Sequence, residues 1–500
     1  MDWQSWYRHR GLCRAACLRT SRRGSRWSWE AHLIGLLWLM SGWLPCLVNA
    51  TEPLNVLFLM ADDLNTHLGC YGHPQVVSPH LDRLASEGML FAKAYCQYPS
   101  CGPSRASMLT GMRPQRTQVF DNRTHFRHPG PPVMTLPQFF REHAYHTVRV
   151  GKIFHQDVPT DIGQAGLDDP PSWDESFNPS GRDVREQDLL TVYTPSLPIP
   201  DRMSWLAAAG DDGDQSDGMV ASEAIRQLHA NRHRPFFLAV GFYRPHIPYI
   251  APRRYFSFYP IEQVKLPSWE RVAMGRLPDA ALASTPVWPN FGVSDAQARN
   301  CIAAYHACVS FVDAQVGRIL DALEAEGLAE RTIVVFTSDH GYHLGEHGLW
   351  RKNSLFEEAL RVPLIFRLPK TPTAGRVCHR IVELLDLFPT LVELAGLPVD
   401  EAMVGQWDGQ SLSDCLQTNA SATDVASSQV QFADIPGSSI RTERYRYTVW
   451  KGGQDGVELY DHTIDPQEQQ NVADLPEYQA AIAELHHRWE QAHARSLGEP

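Results

Sequence analysis

Apolar and polar positions along the chain follow two rhythms. Asn55-Val56-Leu57-Phe58-Leu59-Met60 is an unbroken apolar run, the pattern of a parallel strand covered on both faces. Stretches 146–150, 235–241, 332–337 and 362–368 read as further strands. Between them the spacing turns helical. The longest such pattern covers 296–325, with apolar residues at 305, 309, 312, 316, 319, 320 and 323. Shorter helices are expected at 135–143, 217–230 and 382–396, and one opens at Ser78-Pro79 and stops at Gly88. Strands alternating with helices on this scale predict an α/β fold: a large mixed, mostly parallel sheet flanked by helices.

Two stretches break the rhythm. Residues 157–215, rich in Pro, Asp and Gly, read as a long surface excursion. Residues 408–428 are small and polar, a linker pattern. Beyond it, 439–450 and 458–460 read as antiparallel strands, and a last helix runs from Pro476 to about Ala494. The expected organisation is a main domain over 51–425 and a small C-terminal α+β subdomain with an antiparallel sheet over 426–500.

The first fifty residues stand apart. Seven arginines precede an apolar run at 33–48 that ends Val48-Asn49-Ala50, which together describe a secretory signal peptide. The run is interrupted by Ser41, Gly42 and Pro45 and is short for a membrane span. Export with cleavage, and no stable span afterwards, is therefore expected. Loss of seven positive and two negative charges takes the formal net charge from −12 to −17. Such a surface argues against nucleic acid as a partner. Seven cysteines remain, with no C-x-x-C pair, so neither a zinc ribbon nor a disulfide scaffold is indicated.

Candidate chemistry gathers at strand ends. Asp62-Asp63, Lys152 with His155, His246, and Asp339-His340 each follow a separate predicted strand, where open α/β sheets bind ligands. Three carboxylates offer hard oxygen ligands for Ca²⁺ or Mg²⁺. Arg105, Lys152, His155, His246 and Lys352 supply basic groups around them, a mixture suited to a tetrahedral oxyanion ester. Cys101-Gly102-Pro103-Ser104-Arg105 opens a helix-like run, with a cysteine where the helix N-terminus favours negative charge.

Cys101-x-Pro103-Ser104-Arg105 with Leu109-Thr110-Gly111 resembles the type I sulfatase motif. Gly151-Lys152-x-x-His155, Ser338-Asp339-His340-Gly341 and the late Leu459-Tyr460-Asp461 segment match the family's other motifs. Arg244-Pro245-His246-Ile247-Pro248 and Leu344-Gly345-Glu346-His347-Gly348 are similar to its iduronate-2-sulfatase branch. The resemblance implies an alkaline-phosphatase-like fold and an exo-acting enzyme that removes 2-O-sulfate from a terminal uronic acid. It further implies conversion of Cys101 to formylglycine by a formylglycine-generating or anaerobic sulfatase-maturating enzyme. One Ca²⁺ would be held by Asp62, Asp63, Asp339, His340 and an oxygen at position 101. The hydrated aldehyde supplies two hydroxyls: one attacks sulfur, and the other, deprotonated by His155, expels sulfate. Lys152, His246 and Lys352 would bind sulfate, His246 or Lys352 would protonate the departing oxygen, and Arg105 would hold the hydrate. Trp350 and Arg441, with Asn353, are the expected substrate-pocket residues.

Glycine at 102 and histidine at 340 depart from the commonest family pattern. His343 and His347 are read as packing residues, because with His340 they lack H-E-x-x-H spacing. Three other functions are weighed against it: a sulfatase acting on another sulfated sugar, a phosphomonoester or phosphonate hydrolase, and a carbohydrate-binding protein whose Cys101 stays a thiol.

Overall fold

The computed structural model describes residues 53–128, 133–269, 277–285, 287–369, 373–418, 425–432 and 435–496. The expected signal peptide at 1–50 lies outside them. Strands β1 (Asn55–Asp62), β2 (Met89–Tyr95), β3 (His146–Gly151) and β4 (Glu175–Phe177) come first. They are followed by β5 (Thr191–Val192), β6 (Ser204–Ala208), β7 (Phe236–Pro245), β8 (Tyr249–Pro252) and β9 (Thr332–Ser338). Next are the hairpin β10 (His343–Leu344) and β11 (Trp350–Arg351), then β12 (Arg361–Val362), β13 (Leu364–Arg367) and β14 (Arg376–Glu383).

The main sheet has the order β12-β2-β13-β9-β1-β7-β3-β4, with β14 paired to β2. Its central block β9-β1-β7-β3 is parallel throughout. The block's strands are almost wholly buried, which is why they read as continuous apolar runs. Strand β13 runs antiparallel to both β9 and β2, which makes the sheet mixed. The helix Asp295–Ala325 starts at a capping box of Ser294 and Gln297, satisfying two orphan backbone donors. It covers one face of the sheet together with the helix Ser216–Asn231.

A second sheet follows in the C-terminal part: β15 (Ala426–Phe432), β16 (Ile435–Arg441), β17 (Tyr445–Trp450) and β18 (Val457–Asp461), an antiparallel meander. The helix Gln479–Ser496 packs on it through Leu485.

Several elements depart from the pattern reading. The helix expected at 382–396 is the strand β14 followed by a helix over Leu387–Leu394. Pro389 accounts for the shift: it has no N–H to donate and fits only the first turn. The excursion 157–215 contains β4, which extends the main sheet, and β5 and β6, which join β8 in a small sheet. Within the supposed linker, Ser413–Thr418 is helical with Cys415 and Leu416 buried; residues 419–424 lie outside the described set. Strand β2, with a lysine near its centre, went unread. No helix among the described residues is long and apolar enough to cross a membrane.

Candidate active site

The parallel block delivers its chemistry at one edge. Strands β9, β1, β7 and β3 are neighbours, so Asp339 and His340, Asp62 and Asp63, His246, and Lys152 with His155 leave adjacent strand ends. The helix Cys101–Thr110, fully buried, brings its first residue to the same place. Cys101 Sγ lies 3.8 Å from Asp63 Oδ1, 3.4 Å from His340 Nε2 and 3.0 Å from Lys352 Nζ.

The local backbone is shaped for this convergence. Asp63 has φ 66°, a left-handed conformation rare outside glycine that costs energy unless its surroundings enforce it. Here they do. Asp63 N donates to Asp339 Oδ1 at 3.2 Å, Leu64 N to Ser338 Oγ at 2.9 Å, and the Tyr305 hydroxyl to the Asp63 carbonyl at 2.8 Å. Lys352 sits between Arg351 and Asn353, both left-handed at φ 74° and 69°. The Asn353 N–H anchors that turn to the Pro99 carbonyl at 3.0 Å.

Charges are paired tightly. Lys152 Nζ is 2.6 Å from Asp62 Oδ2, and Lys352 Nζ is 2.5 Å from Asp63 Oδ1. Arg105 bridges two acids, with Nη2 2.9 Å from Asp62 Oδ1 and Nε 2.8 Å from Asp339 Oδ2. Its Nη1 donates to the carbonyls of Lys152 and Ile153. Burial opposes ionisation of Asp62, but Lys152 and Arg105 outweigh it and hold the carboxyl well below its ordinary range. Asp63 is raised, because burial exceeds the pull of Lys352 and His340. Burial and Asp62 work to raise the Cys101 thiol, yet Lys152 and Lys352 prevail and its pKa is lowered. His340 is pushed up to about 9: burial lowers it, and Asp339 more than compensates.

The donor set fits a divalent cation. Asp63 Oδ2 is buried without a hydrogen-bond partner. His340 donates Nδ1–H to the Gly341 carbonyl at 2.9 Å, leaving Nε2 toward the acids, the orientation expected of a ligating imidazole. Asp62, Asp63, Cys101 and His246, and likewise Cys101, Asp339 and His340, bring ligand atoms within 4.8 Å of one another.

His246 is held neutral, well below its ordinary range, by burial and by Lys352, and its Nδ1 is 2.5 Å from the Ile247 carbonyl. His155 Nε2 meets Asp157 Oδ1 at 2.9 Å, while its Nδ1 is buried and unpartnered. Burial would lower His155, but Asp157 and Cys101 raise it. Cys101 has no exposed surface, and among the basic groups His155, His246 and Lys352 keep 6, 7 and 5%. Access is from their side.

Three expectations need correction. Arg105 does not bond to residue 101; its donors are taken by two acids and two backbone carbonyls, so it sets the spacing of Asp62 and Asp339. Trp350 is fully buried, with Nε1 3.3 Å from Asn290 Oδ1, and belongs to the core. Arg441 is buried among Glu357, His462 and the carbonyls of Thr442 and Glu443, a cluster of the second sheet and not of the Cys101 site. Sequence reading missed Asp157, whose place two residues after His155 was its only signal, and Tyr305, which sits inside an apolar helical stripe and gives none.

Comparison with known proteins bears on this arrangement. The family profile described as sulfatase matches residues 54–397, and one described as the C-terminal region of N-sulphoglucosamine sulphohydrolase matches 345–495. The chain is 34% identical to iduronate 2-sulfatase of Mus musculus, covering 81% of this chain and 86% of that protein. It is 32% identical to a sulfatase of Formosa agariphila, covering 86% and 85%. Among solved structures, the phosphonate monoester hydrolase of Agrobacterium radiobacter superposes with a TM-score of 0.72 at 25% identity, covering 89% of this chain and 96% of that one.

Proposed function

The chain belongs to the sulfatase family, and from that premise we propose that it removes a 2-O-sulfate from a terminal uronic acid of a sulfated carbohydrate. The observation that carries the reading is Cys101 itself: sealed at a helix N-terminus, within 4 Å of Asp63, His340 and Lys352. Similarity to iduronate 2-sulfatase over four-fifths of the chain favours this sugar over other sulfated ones.

Bound Ca²⁺ would polarise a sulfate oxygen, and formylglycine made from Cys101 would supply the attacking hydroxyl. Asp62, Asp63, Asp339 and His340 would hold the cation, with Arg105 fixing the distance between two of the acids. Lys352 keeps its charge beside Asp63, and Lys152 and Lys352 offer N–H groups to the sulfate oxygens, where negative charge builds up. Lys352 carries a proton already. His246, held neutral, needs the negative charge of the ester to become an imidazolium, and one of the two protonates the departing oxygen. His155, its ring fixed by Asp157, directs Nδ1 toward position 101 and takes the proton that frees sulfate.

This function requires export, by way of the segment at 1–50, and an encounter with a sulfatase-maturating enzyme. Mass spectrometry of the peptide containing Cys101 tests the premise: in matured protein we expect the loss of mass that accompanies replacement of a thiol by an aldehyde. An intact thiol in active protein overturns it. Sulfate release from 2-O-sulfated uronate disaccharides should exceed release from fucose and galactose sulfates; the reverse order overturns the substrate class. The superposition on a phosphonate monoester hydrolase makes ester phosphorus the second reading, and faster turnover of an aryl phosphate than of an aryl sulfate would favour it.

A further inference from the structure

Three to nineteen residues beyond Asp339 and His340, a different set of side chains converges with unpartnered atoms at its centre. His343 lies in β10, His347 in the turn Glu346–Gly348, and Glu358 in the short helix Glu357–Leu360. One ligand atom from each lies within 4.8 Å of the other two. His343 Nδ1, His347 Nδ1 and Glu358 Oε2 are all buried and all without a hydrogen-bond partner. Three orphaned lone pairs at one place are costly, since each forfeits its hydration.

The far side of each ring is occupied. His347 Nε2 donates to the Glu468 carbonyl at 3.0 Å, which leaves Nδ1 as the bare lone pair. His343 Nε2 is 2.6 Å from Ser354 Oγ. A partner on one ring nitrogen with the other aimed inward is how proteins orient a ligating imidazole. His347 also takes φ 57°, a strained backbone that turns its ring onto Phe356, 4.1 Å away and 15° from parallel.

A fourth group stands by. Glu346 Oε2 is 4.0 Å from His343 Nδ1, and Glu358 Oε2 is 4.0 Å from His347 Nδ1. Among the described residues no lysine or arginine pairs with either glutamate. Burial holds both imidazoles neutral, and burial together with Glu346 raises Glu358 well above its ordinary range. Neutral imidazoles beside acids that lack a counter-charge call for a cation.

We propose that His343, His347 and Glu358, with Glu346, form a second metal site that binds a divalent first-row transition ion such as zinc. Two imidazoles with carboxylates select such an ion over Ca²⁺, which takes oxygen ligands. Tetrahedral coordination with bonds of about 2.05 Å puts neighbouring donors about 3.3 Å apart, so the 4.0 Å pairs close by about 0.7 Å. The ion joins the β10–β11 hairpin to the helix Glu357–Leu360. Lys352 follows directly after β11, so the site braces the segment that carries it. This inference does not depend on the substrate of the catalytic site.

The test uses full-length protein stripped with chelator and then saturated with Ca²⁺, so that the catalytic acids are occupied. Titration with Co²⁺ should give visible absorption of a four-coordinate nitrogen–oxygen site, saturating at one equivalent. His343→Ala and Glu358→Gln should each weaken binding at least about tenfold, and Zn²⁺ should raise the wild-type thermal midpoint but not theirs. Glu358→Gln changes one partly exposed side chain, so a cooperative melt will certify its fold even if His343→Ala melts early. A wild type without the absorption, or a band kept by both variants, overturns the proposal. So does a band lost only in His73→Ala: His67, His73 and His306 form a second histidine cluster on a cavity of about 390 Å³ that Glu346, His347 and Glu358 also line, and would then be the site.

Discussion

At the scale of single residues, the site works through pairs that fix one another. Arg105 touches two acids and no reacting atom, so Arg105→Ala leaves Asp62 and Asp339 buried without their bridge. Losing one partner of such a buried pair costs about 3–5 kcal/mol. We expect both a lower thermal midpoint and loss of metal affinity, read by melts with and without Ca²⁺; unchanged metal affinity would remove the positioning role. Asp157→Asn acts on His155. Removing the partner of a working imidazole lowers activity about tenfold or more, and because Asp157 helps raise His155, its loss shifts the base to lower pKa. The acid limb of kcat/KM against pH should therefore move to lower pH, whereas a purely structural role would leave the limb in place.

At the scale of elements, the helix Cys101–Thr110 is fitted closely at its start. A Cβ on Gly102 would come within 2.8 Å of the Asp121 carbonyl and 3.0 Å of Asn122 Oδ1, and that amide oxygen already accepts from the Gly102 N–H at 2.8 Å. Gly102→Ala, the commoner family residue, must push this turn away, at an overpacking cost of about 1–3 kcal/mol; a thermal midpoint equal to wild type would show that the turn yields freely. This contact explains why a motif departure is tolerated, and no sequence pattern contains it. The strands that carry Asp62, Lys152, His246 and Asp339 were legible because burial on both faces writes itself as apolar runs, and parallel sheets place their ligands at one end. β14 was not, since Arg376, Val377, His379 and Arg380 are exposed and break the alternation of a strand, and only its apolar end at 382 joined the helical pattern that follows. Trp350 and Arg441 were misassigned for a related reason. Their neighbourhood in sequence was right, but the direction of a side chain is settled by packing, and both point into buried clusters.

At the scale of the whole molecule, opposed groups set the dependence of stability on pH. Asp217, Asp313, Asp386 and Glu458 are each pushed up to about 7, chiefly by burial, against about 4 in an unfolded chain. The stability they confer is complete below about pH 4 and is lost as pH rises through 7. Asp62 is held well below its ordinary range, and Asp461 is lowered to about 2 by Arg444 against the effect of burial; their contribution is present above about pH 4 and is lost as pH falls further. The thermal midpoint at fixed Ca²⁺ should therefore peak between about pH 4 and 6, and a maximum at pH 8 would contradict this balance.

The complete burial of Cys101 also sets an order of events in time. A second enzyme cannot reach a side chain with no exposed surface, enclosed by β1 and by β9 and the Lys352 segment, the last two of which arrive from more than two hundred residues later in the chain. On the proposed formylglycine chemistry, oxidation must win a race against folding, while position 101 is still on an open polypeptide. A maturating enzyme added to the folded thiol form should leave it unchanged, yet convert a short peptide spanning Cys101 to Arg105, and only unfolding followed by treatment should rescue the protein. The folded thiol form is then a dead end rather than a precursor, and the yield of active enzyme reports on how fast the chain closes.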